Sequence, residues 1–203
     1  ITAVRGRAVA SSDHIETIIV DIPTIRGHVL SMTTMQQQSI VLVRIRFADG
    51  SEGIGEGTTI GGMSYGPESP ESIKLAIDSY LGPAILGQDG DRINQLIARM
   101  LANVRGNHIA LCAVETALWD GLARRQGVSV AQLFGGAMQP AMPVAWTLAS
   151  GRSDTDIAEA QRMLETRRHN IFKLKIGKRS LREDIAHVAA IRAALGDAAS
   201  IRV

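Results

Sequence analysis

Alternation of apolar and polar residues predicts three strands near the start of the chain. Residues 14–21 carry a run of isoleucine and valine, which predicts a first strand. Residues 39–47 alternate clearly, and Asp49-Gly50 follows as a hairpin turn into a return strand over residues 51–56. Residues 24–29 have no period and many turn residues, which predicts a mobile loop. The three strands are expected to form a small antiparallel sheet.

A helical period follows in three segments. Ser69-Pro70 opens the first with a cap and a proline in the first turn, and Gly82-Pro83 is expected to end it. The second covers residues 93–104. The third runs from about His108 to Arg125 and carries one stripe of small and aliphatic residues, Ala110, Ala113, Val114, Ala117, Leu118 and Gly121. Small side chains allow helices to approach closely, so the third helix is predicted to be central.

Beyond the helices the pattern changes to alternating strands and helices. Residues 144–150 are nearly all apolar or small, as in a strand buried on both faces, and residues 154–168 form an amphipathic helix. Residues 171–177 alternate again. A capping box at Ser180 opens a helix, and another strand begins at Ser200; the predicted inward stripe of that helix is Leu181, Ile185, Val188, Ile191 and Leu195. This order predicts a parallel sheet, and a barrel is preferred because no glycine-rich nucleotide turn follows the first of these strands.

The two patterns predict two domains. Residues 1–137 are expected to form an α+β capping domain, and residues 138–203 the first βαβαβ part of a (β/α) barrel of the TIM type. Residues 1–13 have no clear period and are interpreted as a tail. The chain begins without methionine and stops inside the third predicted barrel strand, so we expect it to be truncated there.

Two lysines, Lys173 and Lys175, share one side of the strand over residues 171–177. On an open sheet they would form a solvated face or guard an edge against pairing. In a barrel, one strand face points inward, where burial and a second ammonium group both lower the pKa of a lysine. One of the pair would then act as a base near neutral pH. The flanking helices favour the barrel interpretation.

A glycine-rich stretch over residues 57–66 follows the predicted hairpin. It lacks the ending and the spacing of a phosphate-binding loop. A flexible lid carrying Tyr65 is one interpretation, and a tight turn in which Tyr65 merely packs is the other.

Composition narrows the classes of function. The chain has 203 residues, of which 45% are hydrophobic and 21% are charged, as in an ordinary globular protein. A net charge of +2 and an aromatic content of 3% argue against nucleic acid and acidic membrane surfaces as partners. The single cysteine, Cys112, cannot form an internal disulfide, which favours a cytoplasmic location. The expected partner is a small molecule, and no apolar run approaches the ~20 residues of a membrane span.

Four sets of residues together resemble the muconate cycloisomerase branch of the enolase superfamily. The resemblance covers about residues 14–203. The first set is 21–26 (Asp-Ile-Pro-Thr-Ile-Arg) with 34–38 (Thr-Met-Gln-Gln-Gln), and the second is 53–62 with Tyr65-Gly66. The third set is 110–135, and the fourth is 146–151 with 167–177. In that branch the first two sets correspond to two mobile loops, the third to a helix signature and the fourth to the first barrel strands. Gly121 departs from the family pattern, which has a bulkier aliphatic residue or alanine there.

The resemblance implies an enzyme of aromatic-compound catabolism that interconverts cis,cis-muconate, or a chloromuconate, and muconolactone through an enolate intermediate. It implies that Lys175 transfers the proton and that Lys173 is its electrostatic neighbour. Ile60 and Tyr65 match lid residues that touch the substrate, and Thr147 lies at the end of the first barrel strand. The implied partners are a dicarboxylate substrate and further copies of the same chain in a homo-oligomer.

The resemblance also implies a divalent metal, manganese or magnesium. Its carboxylate ligands in the family come from the third to fifth barrel strands, so they are expected beyond Val203. The five histidines are scattered without ligand spacing, and none is assigned to metal.

Two other functions stay open. Another enzyme of the superfamily, a racemase or epimerase of amino-acid derivatives or an o-succinylbenzoate synthase, would use the same lysine pair. A non-catalytic capping or assembly module would hold the lysines for structural reasons alone.

Overall fold

The computed structural model describes residues 10–30 and 33–203, and their contacts divide them into two compact units. The first unit comprises the described residues up to Ile22 and Gln38–Met138. The second comprises the described part of Pro23–Gln37 and Gln139–Val203. Nothing in the sequence pattern indicates that the segment 23–37 groups with the later part of the chain. The predicted domain boundary at residues 137 and 138 stays a prediction.

Three strands, β1 (Ser12–Val29), β2 (Thr34–Phe47) and β3 (Glu52–Thr58), form one sheet in that order. β2 and β3 are antiparallel, with Ile40 opposite Thr58 and Arg46 opposite Glu52. The alternation predicted within residues 39–47 is confirmed, because Val41, Val43, Ile45 and Phe47 are buried, although β2 begins earlier, at Thr34.

β1 differs from the prediction at both ends. It continues through residues 24–29, where the sequence predicts a loop. Pro23 is tolerated inside it because β1 is an edge strand of its sheet, where a missing N–H need not break a ladder. The predicted tail over residues 1–13 lies partly outside the described residues; within them it is wrong, since Ala10 is buried and β1 begins at Ser12.

The helices of the first unit follow the sheet. They are α1 (Pro70–Ala76), α2 (Gly82–Ile85), α3 (Ile93–Asn103), α4 (His108–Gln126) and α5 (Val130–Leu133). The sequence predicts that the helix ends at Gly82-Pro83, but the helical path continues through these residues. A wider π-helical turn over Ile77–Leu81, in which Gly82 N–H bonds the carbonyl of Ile77, carries the chain past a proline that would interrupt a regular helix.

Helix α4 packs directly on the backbone of β3. A Cβ built on Gly55 would lie 1.9 Å from the carbonyl oxygen of Ala113, and one built on Gly53 would lie 2.0 Å from that of Ala117. A Cβ on Gly121 would lie 2.4 Å from the ring of Phe47, which explains the glycine at this unusual position. The predicted central role of α4 is confirmed by its buried stripe of small and aliphatic residues.

The start of α4 is capped from outside the helix. The buried carboxylate of Glu68 accepts the N–H groups of Ile109 and Ala110 at 3.0 and 3.1 Å. Its negative charge complements the free N–H groups at a helix N-terminus. The chain just before α1 is thereby tied to α4.

The second unit contains the parallel strands β4 (Trp146–Leu148), β5 (Ile171–Leu174) and β6 (Ser200–Arg202), paired in that order. Helices α6 (Ser153–Glu165) and α7 (Leu181–Leu195) connect them. Along the chain, the predicted α+β capping domain is therefore followed by the beginning of a (β/α) barrel. The core of the second unit is formed by buried residues, among them Leu148, Ala160, Met163, Phe172, Leu174 and Ile191.

Two local predictions in the second unit are wrong. Strand β4 is shorter than residues 144–150, and Val144 is exposed rather than buried on both faces. The predicted stripe of α7 fails at Leu181 and Ile185, which are 78% and 61% exposed. The capping box at Ser180 is confirmed.

No helix in residues 10–30 and 33–203 is both long and apolar enough to cross a membrane.

Candidate active site

The lysine strand β5 follows the predicted alternation over Ile171–Leu174. It ends before the predicted residue 177, and Ile176, predicted on the apolar side with Phe172 and Leu174, is 47% exposed. Phe172 and Leu174 are buried on one side, while Lys173 is exposed and Lys175 is half-buried on the other. Thr147, in the neighbouring strand, stands opposite Lys173 in the parallel register. Lys175 therefore lies just past the carboxyl end of β5, at the edge of a parallel sheet where barrel enzymes build their sites.

A cavity of about 340 Å³ lies at this edge of the second unit. Lys175 lines it together with Val29, Leu30, Leu148, Ala149, Ser150, Gly151, Asp156, Ile176, Lys178 and Arg179. We call it the Lys175 cavity. Three of its charged residues are cations and one is a carboxylate, so its electrostatic character suits a small anionic ligand.

Val29 and Leu30, at the end of β1, form one wall of the Lys175 cavity. The N–H of Val29 donates to the carbonyl of Ala149 at 3.1 Å, which attaches the segment just beyond the end of β4. Burial, and then the positive charges of Lys175 and Arg26, lower the pKa of His28 below its ordinary value. Both effects favour the neutral form of this histidine.

A buried polar cluster lies behind the cavity and joins α6 to α7. The hydroxyl of Ser153 lies 2.7 Å from Nδ1 of His187, and Nε2 of His187 lies 3.5 Å from Oδ2 of Asp156. Oδ1 of Asp156 accepts the N–H of Ser150 at 3.1 Å. The cluster thus holds the turn that follows β4.

A second carboxylate, Asp184, holds the turn that follows β5. It accepts the N–H of Gly177 at 2.8 Å and pairs with Arg179 at 3.3 Å. Arg179 also donates to the carbonyl of Gly151 at 2.5 Å, so the two turns are joined. Asp156, Asp184 and His187 are not predicted from the sequence, because a helical period does not distinguish a buried, paired charge from a solvated one.

Acid is expected to destabilise the protein through His187. Burial of the ring, and then the charge of Arg179, lower its pKa, although Asp156 and Asp184 act in the opposite direction. The unfolded chain then binds the proton more readily, so stability falls as the pH drops below the ordinary histidine value of about 6.5, by at most about 1.4 kcal/mol per pH unit for one group. Denaturant unfolding at pH 7.5 and pH 5 should show a smaller acid-induced loss in His187→Gln than in the wild type. An equal loss in both proteins would contradict the assignment.

The remaining predicted site residues are divided between the units. Thr147 lies half-buried in β4 of the second unit, and its carbonyl accepts a hydrogen bond from Arg26. Ile60 and Tyr65 belong to the first unit, in the stretch after β3, where Gly62–Ser64 forms a 3₁₀ turn. Tyr65 is 62% exposed, which does not favour the interpretation that it merely packs in a tight turn.

The described residues do not fit a divalent metal. Residues 10–30 and 33–203 contain no group of three or more histidine, cysteine, aspartate or glutamate side chains placed to hold an ion. The two carboxylates beside the cavity turns, Asp156 and Asp184, are already paired with N–H, imidazole and guanidinium groups.

Comparison with known families identifies both parts of the chain. Residues 14–135 match the model of the mandelate racemase / muconate lactonizing enzyme N-terminal domain, and residues 155–203 match that of the enolase C-terminal domain-like family. Muconate cycloisomerase 1-1 of Acinetobacter lwoffii is 54% identical over 191 residues, and chloromuconate cycloisomerase of Pseudomonas sp. strain P51 is 47% identical over 189 residues. These alignments cover 94% and 93% of this chain, and 50% and 51% of the two relatives.

The fold agrees with solved structures of the same group. The muconate lactonizing enzyme from Pseudomonas fluorescens in complex with muconolactone superposes with a TM-score of 0.94 and 55% identity, over 96% of this chain and 53% of that one. The enzyme from Klebsiella pneumoniae gives a TM-score of 0.85 and 50% identity, over 96% and 51% of the two chains. The chain therefore spans about half the length of the relatives that it matches. From its first domain into the beginning of the barrel, this chain belongs to the mandelate racemase / muconate lactonizing enzyme family, in its muconate cycloisomerase branch.

Proposed function

We propose that the whole protein is a cycloisomerase that interconverts cis,cis-muconate and muconolactone. The observation that carries the proposal is the position of Lys175, half-buried at the carboxyl end of a parallel strand in a cavity with a positive excess of charge. A dicarboxylate substrate suits that charge, and the relatives described above are muconate and chloromuconate cycloisomerases.

In the lactonising direction, one carboxylate oxygen of muconate attacks the diene and forms the new C–O bond. The electron pair displaced from the diene collects as an enolate next to the other carboxylate. The Lys175 ammonium then gives its proton to the enolate carbon, which yields the lactone and a neutral lysine. In the reverse direction the neutral lysine removes that proton.

Other residues of the chain support this step. The Lys173 ammonium, two residues away, adds positive potential where negative charge develops. Val29 and Leu30 form an apolar wall of the Lys175 cavity and exclude water from it. We assign Ile60, Tyr65 and Thr147 to substrate contact, on their match to the family pattern.

A divalent metal, manganese or magnesium, belongs to the proposal through the family alone. When bound, such an ion supplies Lewis-acid stabilisation of a substrate carboxylate. The described residues offer no ligand set for it. A cytoplasmic location is proposed because the chain has a single cysteine. A homo-oligomeric state is proposed on the family resemblance.

The whole protein is expected to convert cis,cis-muconate into muconolactone in the presence of manganese or magnesium. Proton NMR of the product tests this directly, with 3-chloromuconate, an N-acyl amino acid and the o-succinylbenzoate precursor as competing substrates. Turnover of one of the last two without turnover of muconate would replace the proposal by another superfamily activity. Absence of all four reactions in a folded, metal-supplied protein would favour the non-catalytic module.

A further inference from the structure

Within the second unit, Arg26 is held by two different groups. Its Nε donates to both carboxylate oxygens of Glu159, at 3.2 and 3.0 Å, and its Nη2 donates to the carbonyl of Thr147 at 2.7 Å. Glu159 also accepts the indole N–H of Trp146 at 3.0 Å. These contacts join β1 to both β4 and α6.

The pair is well shielded from water. The Glu159 side chain is 10% exposed and that of Arg26 is 27% exposed. An ion pair that is desolvated and supported by further hydrogen bonds has a defined geometry, in contrast to an exposed pair. The second unit provides such an exposed pair for comparison, Arg152 with Asp154, whose side chains are 72% and 66% exposed.

The fastened segment leads directly to the Lys175 cavity. Three residues beyond Arg26, the Val29 N–H bonds the carbonyl of Ala149, and Val29 and Leu30 then line the cavity. Between the two attachments lies His28, whose lowered pKa has burial as its first cause and the charge of Lys175 as its second. The two attachments therefore fix the residues that lead into the Lys175 cavity.

We infer that Arg26 is a positioning residue for the Lys175 site, acting through its contacts with Glu159 and the Thr147 carbonyl to hold Val29 and Leu30 as a fixed wall of the Lys175 cavity. This inference rests on the proposed function for its effect on turnover. Its structural part, the attachment of the wall, stands independently. The segment is thus held as an extended strand with two attachments, where the sequence predicts a mobile loop.

Two kinds of measurement on the whole protein test the inference, using Arg26→Lys, Arg26→Gln and Glu159→Gln. The first is hydrogen exchange of the Val29 amide, which needs no activity. We expect exchange to be roughly tenfold faster or more in Arg26→Gln and Glu159→Gln, because loss of a charged hydrogen-bond partner favours local opening. Arg26→Lys keeps the charge but loses the planar guanidinium, which donates to both Glu159 and the Thr147 carbonyl. The exchange rate of the Val29 amide in this variant should therefore lie between those in the wild type and in Arg26→Gln.

The second measurement is the kinetics of lactonisation. A displaced cavity wall should lower kcat more than it raises KM, by roughly 10- to 100-fold in kcat for Arg26→Gln, since displacements of about 1 Å are costly in enzyme sites. Arg152→Gln and Asp154→Asn are the matched controls, and they should leave both exchange and kinetics unchanged.

The two measurements separate the inference from the proposed function. Faster Val29 exchange in a protein without muconate turnover would support the attachment and reject the function. Wild-type exchange at Val29 in folded Arg26→Gln or Glu159→Gln would overturn the inference, whatever the activity. A loss of thermal stability with normal exchange and normal kcat would also overturn it, since Arg26 would then only stabilise the fold. If Arg26→Gln does not fold, Arg26→Lys and Glu159→Gln decide the result in the same way.

Discussion

Lys175→Ala is expected to lower lactonisation of muconate by the whole protein by roughly 10²- to 10⁴-fold, the usual contribution of a general acid or base. Exchange of the α-proton of muconolactone with deuterated solvent should fall in parallel, because both reactions pass a proton through the same Nζ. Lys173→Ala should lower the rate less than Lys175→Ala does, since the Lys173 ammonium acts only through its charge. Steady-state kinetics and NMR-detected exchange measure the two effects.

The position of Lys175 motivates this ranking of the lysines. Lys175 is half-buried and lines the cavity, whereas Lys173 is exposed within β5. Circular dichroism of both variants provides the control for folding. The assignment is wrong if folded Lys175→Ala still exchanges the lactone proton at the wild-type rate.

Gly55→Ala is expected to destabilise the protein by about 3 kcal/mol or more, at the upper end of overpacking effects. The added methyl group would lie 1.9 Å from the carbonyl oxygen of Ala113. That atom belongs to the backbone of α4, so it cannot move aside as the end of a side chain can. Urea unfolding followed by fluorescence gives the change in the free energy of unfolding.

Gly66→Ala is the matched control for Gly55→Ala. No atom lies within 4 Å of a Cβ built at Gly66, and its φ angle lies outside the left-handed region. This substitution should change stability by about 0.5 kcal/mol or less, as at other open surface positions. Equal losses in the two variants would show that the contact between β3 and α4 is not responsible.

Sequence patterns predicted the elements whose cause is local. The alternation in β2, the buried stripe of α4 and the capping box at Ser180 each arise from residues close together in the chain. The lysine strand belongs to this group over Ile171–Leu174, where the predicted alternation is confirmed. The family resemblance was carried by motifs of the same kind.

The failures have tertiary causes. Residues 24–29 resemble a loop in composition, but Arg26 and Val29 are held by acceptors more than a hundred residues away. The buried side of α7 is not the predicted apolar stripe, because it includes Asp184 and His187. Asp184 is paired with the turn after β5, and His187 is paired with Ser153 on α6, so both are buried. No short window of sequence contains both members of such pairs, so the carboxylates that hold the cavity turns were not predicted.

The cap that Glu68 places on α4 limits how far the proposed lid can reach. The stretch 59–67 is held at one end by β3, which finishes at Thr58, and at the other by the Glu68 carboxylate. Since consecutive Cα atoms are about 3.8 Å apart, the Cα of Ile60 stays within roughly 7 Å of that of Thr58, and that of Tyr65 within roughly 11 Å of that of Glu68. The stretch therefore cannot swing outward about one hinge like a flap. Ile60 stays nearer to an anchored end than Tyr65 does, and the larger excursions belong to the residues between them.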